Sequence, residues 1–202
     1  MPRLGFLPIL LSCFQQRSIT IRLKSLPRSK HHFPLTSAYI EWIHDKLLSV
    51  EWPGIMAGVC AHDCNRQLLE SAAARPFQTA FGRYIHRGVI RRGAALFHSL
   101  IANHPFGDGN KRTAVTALHH FLLANGLLLI AKREDMYDLA LRTASSGGLG
   151  ITQDTLLKEL TDYLKSRTVP ISKLNENPVL TTLYEKMATL KHHIRTNRLN
   201  RS

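Results

Sequence analysis

The stretch "HPFGDGNKRTAVTALHHFLLANG", His104 to Gly126, decides the fold. Its second part reads as a helix. Ala114, Ala117, Leu118, Phe121 and Leu122 recur at three- and four-residue steps in one apolar stripe, and Asn125-Gly126 supplies a left-handed stop. Its first part sets a histidine, an acid, two glycines, an asparagine and two adjacent cations at the mouth of that helix. The unpaired N–H groups and positive dipole end of a helix start attract anions, and Gly107 and Gly109 let the backbone curl around phosphate oxygens. Lys111 and Arg112 add charge, Arg112 with a fork suited to phosphate. The loop is therefore expected to hold a polyphosphate. Asp108 suits Mg²⁺ bridged to those phosphates. His104 suits a general base acting on an incoming hydroxyl, and Phe106 is expected to point into the core. Each residue alone has an ordinary structural explanation, as a cap, a turn or a solvated helix start; their conjunction does not. A Walker-type loop does not fit, because its glycine spacing and Lys-Ser/Thr ending are missing.

Working outward, helical periodicity dominates and sustained alternation is scarce, which predicts an all-α protein. A first helix is expected from Thr36 or Ser37, with Ile40, Ile43 and Leu47 on one face and Pro53-Gly54 at or beyond its end. "RQLLESAAAR" predicts a second, stopped by Pro76. "FQTAFGRYIH" lacks helical spacing and reads as an extended or hairpin segment, while "IRRGAALFHSLIAN" returns to helix. "LLLI" at 127–130 reads as a connector or strand. "EDMYDLALRTASSGG" and "TQDTLLKELTDYLK" are two more helices, the latter capped by Thr152 with Leu156, Leu157, Leu160 and Leu164 inward. Beyond Pro178, Leu180, Leu183, Tyr184, Met187, Leu190 and Ile194 keep helical spacing. No internal repeat is visible.

The formal charge is +13, but residues 1–34 and 165–202 each contribute +6 and residues 35–164 only +1. Such tails attract acidic surfaces at long range; no specific nucleic-acid ligand is expected for the folded centre. Cys13, Cys60 and Cys64 are an odd count without disulfide spacing, which points to a reducing, cytoplasmic setting. Cys60, His62 and Cys64 lack the second ligand pair of a structural zinc site and read as incidental. The opening "MPRLGFLPILLSCF" is broken by Pro8 and reads as an extension rather than an export signal. No stretch reaches the roughly 18 apolar residues of a membrane span.

"HPFGDGNKR" resembles the signature of the Fic/Doc (Fido) family, His-x-Phe-x-Asp/Glu-Gly/Ala-Asn-Gly/Lys-Arg. The likeness continues through "IHD" at 43–45, "LLESAAARPFQTAFG" at 68–82, "AALFHSLIANHPF" at 94–106 and "FLLANG" at 121–126, and is similar to the death-on-curing, Doc-like branch. The resemblance implies an all-α fold, a nucleoside triphosphate such as ATP, Mg²⁺, and transfer of part of the nucleotide to a protein hydroxyl. It casts His104 as base, Asp108 as metal ligand, Gly109 and Asn110 as anion nest, Arg112 as phosphate holder, and the region of Arg75 to Tyr84 as a flap hairpin that positions the target. It also implies a translation factor such as elongation factor Tu as target, and a small neutralising antitoxin as partner.

Within that signature AMP-transferring proteins carry Gly-Asn-Gly-Arg and Doc-like kinases Asn-Lys-Arg. Gly109 here is of the first kind and Lys111 of the second. Because Lys111 alters volume and charge in the phosphate pocket, phosphorylation is the expected reaction, with AMP transfer the alternative and a non-enzymatic nucleotide- or partner-binding module a third. Ser172 to Asn177 fits the family's inhibitory Ser/Thr-x-x-x-Glu-Gly/Asn pattern; three constrained positions arise readily by chance, which is the expectation. The expected organisation is a basic, poorly ordered extension at 1–34, the catalytic domain at 35–165, and a basic extension with an amphipathic helix at 166–202.

Overall fold

A computed structural model describes residues 32–48 and 63–176. Six α-helices lie among them: α1 (Ser37–Leu48), α2 (Arg66–Ala74), α3 (Val89–Ala102), α4 (Asn110–Ala124), α5 (Arg133–Ser145) and α6 (Gln153–Arg167). Two short ribbons complete the body, β1 (Thr79–Ala80) with β2 (Arg83–Tyr84) and β3 (Leu127–Leu129) with β4 (Thr168–Pro170), both antiparallel. The expected all-α fold and short hairpin are what the chain forms. Cys13, Cys60, His62, Pro53-Gly54 and the amphipathic segment beyond Pro178 lie outside the described residues.

Helix α4 is the axis of the fold, with α1, α3, α5 and β3 all packed on it. Thr113 and His120 face α1, contacting His44 and Tyr39. Leu118 and Leu122, on roughly the opposite side at 100° per residue, face Gly93 of α3. The expected stripe is therefore too narrow: Val115, His119, His120 and Leu123 are buried as well as Ala114, Ala117, Leu118, Phe121 and Leu122. Two histidines disguised a helix that is covered nearly all round. Each large apolar side chain so covered contributes about 1.5–3 kcal/mol.

Local chemistry sets the helix starts. Tyr39 N donates to Thr36 Oγ1 (3.2 Å), Leu68 N to Asn65 Oδ1 (3.2 Å) and Thr155 N to Thr152 Oγ1 (3.3 Å), each relieving one orphan amide. Asn125 fastens the segment that leads into α1: its Oδ1 accepts from Phe33 N (2.6 Å) and its Nδ2 donates to Phe33 O (2.9 Å). At the other end, Ile130 N donates to Arg167 O (2.7 Å) and Ile171 N to Gly126 O (2.9 Å). Among the described residues, contacts with the helical body thus reach from His32 and Phe33 to Ile171. Ser172 and Lys173, which open the inhibitory-type pattern, are exposed in a 3-10 turn spanning Ile171–Glu176.

The β1–β2 hairpin turns at Phe81 (φ +51°) and Gly82 (φ +70°), both left-handed as a two-residue type I′ turn requires. Gly82 adopts this freely; Phe81 does so at about 1–2 kcal/mol. The hairpin rests on Arg92 in the first turn of α3. The guanidinium lies 4.8 Å from the Phe77 ring centre and 4.2 Å from that of Tyr84. It donates to His86 O (3.1 Å) and meets His32 Nδ1 (2.6 Å). Because the last turn of α3 leads into the loop, this hairpin stands at the opposite end of α3, about 20 Å away by helix length.

Two measurements test this packing. A Cβ on Gly93 would lie 3.1 Å from Leu118 Cδ1 and 3.3 Å from Leu122 Cδ2, so Gly93→Val is expected to cost about 1–3 kcal/mol in urea unfolding; an unchanged midpoint would contradict the close α3–α4 approach. Burial holds the His119 and His120 imidazoles down to about 4 and about 3. Both are neutral in the fold yet gain protons near 6.5 when unfolded, so stability present above pH 6.5 is lost as pH falls toward 3. Between pH 7 and 5 the loss is on the order of 2 kcal/mol per histidine. A flat unfolding temperature over that range would show that they are not buried neutral.

Candidate functional site

The loop between α3 and α4 is pinned from two sides. Asn65 N donates to Pro105 O (2.8 Å) and Gly107 N to Asp63 O (3.0 Å), around a bridge between Cys64 and Phe106. From within, Asn110 Oδ1 accepts from Phe106 N (3.0 Å) while Asn110 Nδ2 donates to Phe106 O (2.6 Å). Phe106 points into the core, as its place in the motif predicts. The resemblance casts Asn110 as part of the anion nest; its side chain clasps the loop, and its backbone N–H lies in the first turn of α4.

That clasp fixes what remains outside. Gly109 is left-handed (φ +75°, ψ 3°) and starts α4, whose first bond within the helix runs from Thr113 N to Gly109 O (2.9 Å). The amides before Thr113 therefore precede the helix ladder and open toward the loop. His104 is exposed and itself left-handed (φ +48°), a conformation uncommon outside glycine. Gly107 and Asp108 are exposed, and Lys111 and Arg112 half-buried. Arg112 Nη2 reaches Asp108 Oδ2 at 3.1 Å, one helical turn apart. With both partners partly in water, this pair stabilises the fold by at most about 1 kcal/mol. The sequence-predicted residues are thus one continuous rim, with Asn110 turned inward beneath it.

Sequence reading missed His44. It looks like a core residue between Ile40 and Leu47, and it is buried, but its ring stacks on Phe106 at 3.8 Å and 8°. Its Nδ1 lies 3.0 Å from Thr113 Oγ1. A Cβ on Gly109 would come within 3.2 Å of His44 Cε1, so His44 forms the floor beneath the left-handed turn. Burial lowers its pKa, with Asp45 opposing, Arg112 reinforcing and Asp108 opposing. The only signal in the sequence was the "IHD" triplet. Asp63 was also missed: its side chain lies 3.5 Å from where a Cβ on Gly107 would be. Cys64 is a free thiol, half-buried and serving the bridge through its backbone. Among the described residues no group of three or more His, Cys, Asp or Glu could hold a metal.

Residues 34–122, from the start of the described body through most of α4, match the model of the Fic/DOC family. These residues are a Fic/Doc domain. Toxin Doc of Mycolicibacterium smegmatis is 45% identical over 64 residues, 32% of this chain and 49% of that toxin. The chain thus aligns with about half the length of this curated relative. No solved structure matches it significantly. Fic/Doc proteins are transferases with a nucleoside triphosphate co-substrate, and in this Fic/Doc domain the signature residues and His44 all fall inside the matched span. No helix among the described residues is long and apolar enough to cross a membrane.

Asn110→Ala would strand the buried Phe106 N–H and C=O. It is expected to cost about 1–3 kcal/mol and to speed hydrogen exchange at the Phe106 amide. Unchanged protection of that amide would show that the clasp does not hold the loop.

Proposed function

We propose that this protein is a Doc-like toxin that transfers the γ-phosphate of a nucleoside triphosphate to a hydroxyl of a target protein. The observation that carries the reading is the rim itself: exposed His104 on one side, and on the other an α4 start with a left-handed glycine and two cations. His104 takes the proton of the target hydroxyl as its oxygen forms a bond to the γ-phosphorus. The bond to the bridging oxygen breaks, and the nucleoside diphosphate leaves. The amides of the first α4 turn, with Lys111 and Arg112, hold the charged oxygens. His44 and Asn110 keep the loop rigid so that these donors need not reorganise.

A single half-exposed carboxylate fits Mg²⁺, which keeps waters and phosphates as most of its ligands, so the missing three-residue cluster is not an obstacle. Asp108 would hold the ion, and the ion would neutralise phosphate charge when bound. Arg112 Nη2 now holds Asp108 Oδ2 at 3.1 Å, so an ion would share or replace that contact.

AMP transfer is the second reading, favoured by Gly109, where Doc-like kinases carry alanine. Lys111, half-buried beside the first turn, favours phosphate transfer by filling space that an AMP-transferring orientation needs. The target we infer from the Doc likeness is a translation factor such as elongation factor Tu, met in the cytoplasm, with growth arrest as the outcome and a small antitoxin as the neutralising partner. ATP labelled separately at the α and γ positions decides the chemistry. Label on the target from γ only is expected, and label from α would replace the kinase reading with AMP transfer. His104→Ala is expected to reduce transfer at least about a hundredfold, the usual scale for a general base. Undiminished transfer would remove His104 from that role.

A further inference from the structure

The large apolar side chains left exposed among the described residues gather in two places. One is the β1–β2 hairpin, at Phe81, Tyr84 and Ile85. The other is the outward side of α5, where Tyr137 (59%) and Leu141 (40%) stand one turn apart, with Leu149 exposed in the turn that follows the helix. At 100° per residue the exposed Ala144 prolongs that ridge, and Glu134 and Asp138, also exposed and one turn apart, line one edge of it. Met136 and Ala140 already bury the inner side of α5, so the ridge is a second apolar face, which an ordinary surface helix lacks. Leu68 and Ile130 stand singly and need no explanation.

Charge separates the two places. Residues 71–107 carry five arginines and no Asp or Glu, whereas residues 133–164 carry six acidic side chains against three basic. Of those acids, Glu159 pairs with Arg142 and Asp162 with Lys165, while Asp135 accepts from Tyr163. Among the described residues no ion pair reaches Glu134 or Asp138.

The chain holds a segment with the complementary pattern. At helical spacing Leu180, Leu183, Tyr184, Met187, Leu190 and Ile194 fall within about 120° of one another, with Lys191 and Arg195 toward one edge. Residues 177–202 carry five Lys/Arg and one acid, so the arginine-bordered hairpin repels them and α5 attracts them. A helix from Leu180 to Ile194 would be about 22 Å long, against about 20 Å for α5. The described body also ends within reach. Ile171 N donates to Gly126 O, and Gly126 precedes Arg133 by seven residues, at most about 24 Å of extended chain. The 3-10 turn Ile171–Glu176 and the residues on to Leu180 cover about as much, so the segment can lie along α5 with the β3–β4 ribbon intact.

We propose that residues 180–198 dock as an amphipathic helix on the outward face of α5 of the same chain, with the apolar stripe on Tyr137 and Leu141 and with Lys191 and Arg195 against Glu134 and Asp138. The basic tail is then a strap on the helical body rather than a free arm for nucleic acid or for a neutralising partner. This docking does not depend on the transferase reading.

Photocrosslinking on the full chain tests it. Unlabelled chain with p-benzoylphenylalanine in place of Tyr137 is mixed with ¹⁵N-labelled parent chain, irradiated, digested and read by mass spectrometry. Capture of an unlabelled peptide from residues 180–198 is expected. A ¹⁵N-labelled tail peptide would give the face to a second copy, and capture of no tail peptide would leave it uncovered; either result overturns the proposal. The same probe in place of Phe81 should not capture the tail, and equal capture there would contradict the choice of face. Chymotrypsin cleavage after Tyr184 reads the charge pairing. Glu134→Lys/Asp138→Lys is expected to speed it about fivefold by releasing the tail. Adding Lys191→Glu/Arg195→Glu to that variant should return the rate to within about twofold of the parent, a rescue that local damage to α5 would not allow. Unchanged cleavage in the first variant, or no rescue in the second, would overturn the pairing.

Discussion

Two hydrogen bonds between the Asn110 side chain and the Phe106 backbone turn a glycine-bearing loop into a fixed entrance to α4. A loop left to itself would lose its shape to entropy at about 1–2 kcal/mol per residue. Here the clasp joins the Asp63–Asn65 edge and the His44 ring to hold Phe106 from three directions. With Phe106 held in this way, the loop sets His104 and Asp108 on either side of it and leads directly into the first amides of α4. Preorganisation of this kind is what a site for a charged, many-oxygened ligand needs, because donors already in place do not reorganise when the charge arrives.

The same constraint explains why α4 is so polar inside. Thr113, His119 and His120 lie buried along it, and Thr113 and His120 each find a partner on α1, in His44 and Tyr39. These contacts fix the rotation of α4 relative to α1. Apolar packing against α3 sets only the distance. A helix start aimed at a ligand requires both.

Most of the fold was legible because helices announce themselves through spacing and caps. Thr36 and Thr152 stand where their hydroxyls cap a helix, and Leu156, Leu157, Leu160 and Leu164 face inward as their period requires. The rim was legible because its residues are adjacent in sequence. His44 was not, since its partner Thr113 lies 69 positions away and a histidine on an apolar face has no local signature. The clasp made by the Asn110 side chain was not legible, because a buried amide that serves two backbone groups of its own loop leaves no pattern in the sequence. The sequence offered 127–130 as a connector or strand, but its pairing with 168–170 escaped for the same reason as His44: the partners are far apart in the chain and too short to alternate.

The central claim is that the start of α4, rather than the basic tails, receives the nucleotide phosphates. Backbone amide resonances followed by NMR during titration with ATP and Mg²⁺ test it most directly. The largest shifts are expected at Gly107, Asp108, Gly109, Asn110 and Lys111, with His44 moving as the floor beneath them. Shifts confined to residues 1–31 or 177–202, with the loop amides unmoved, would contradict it.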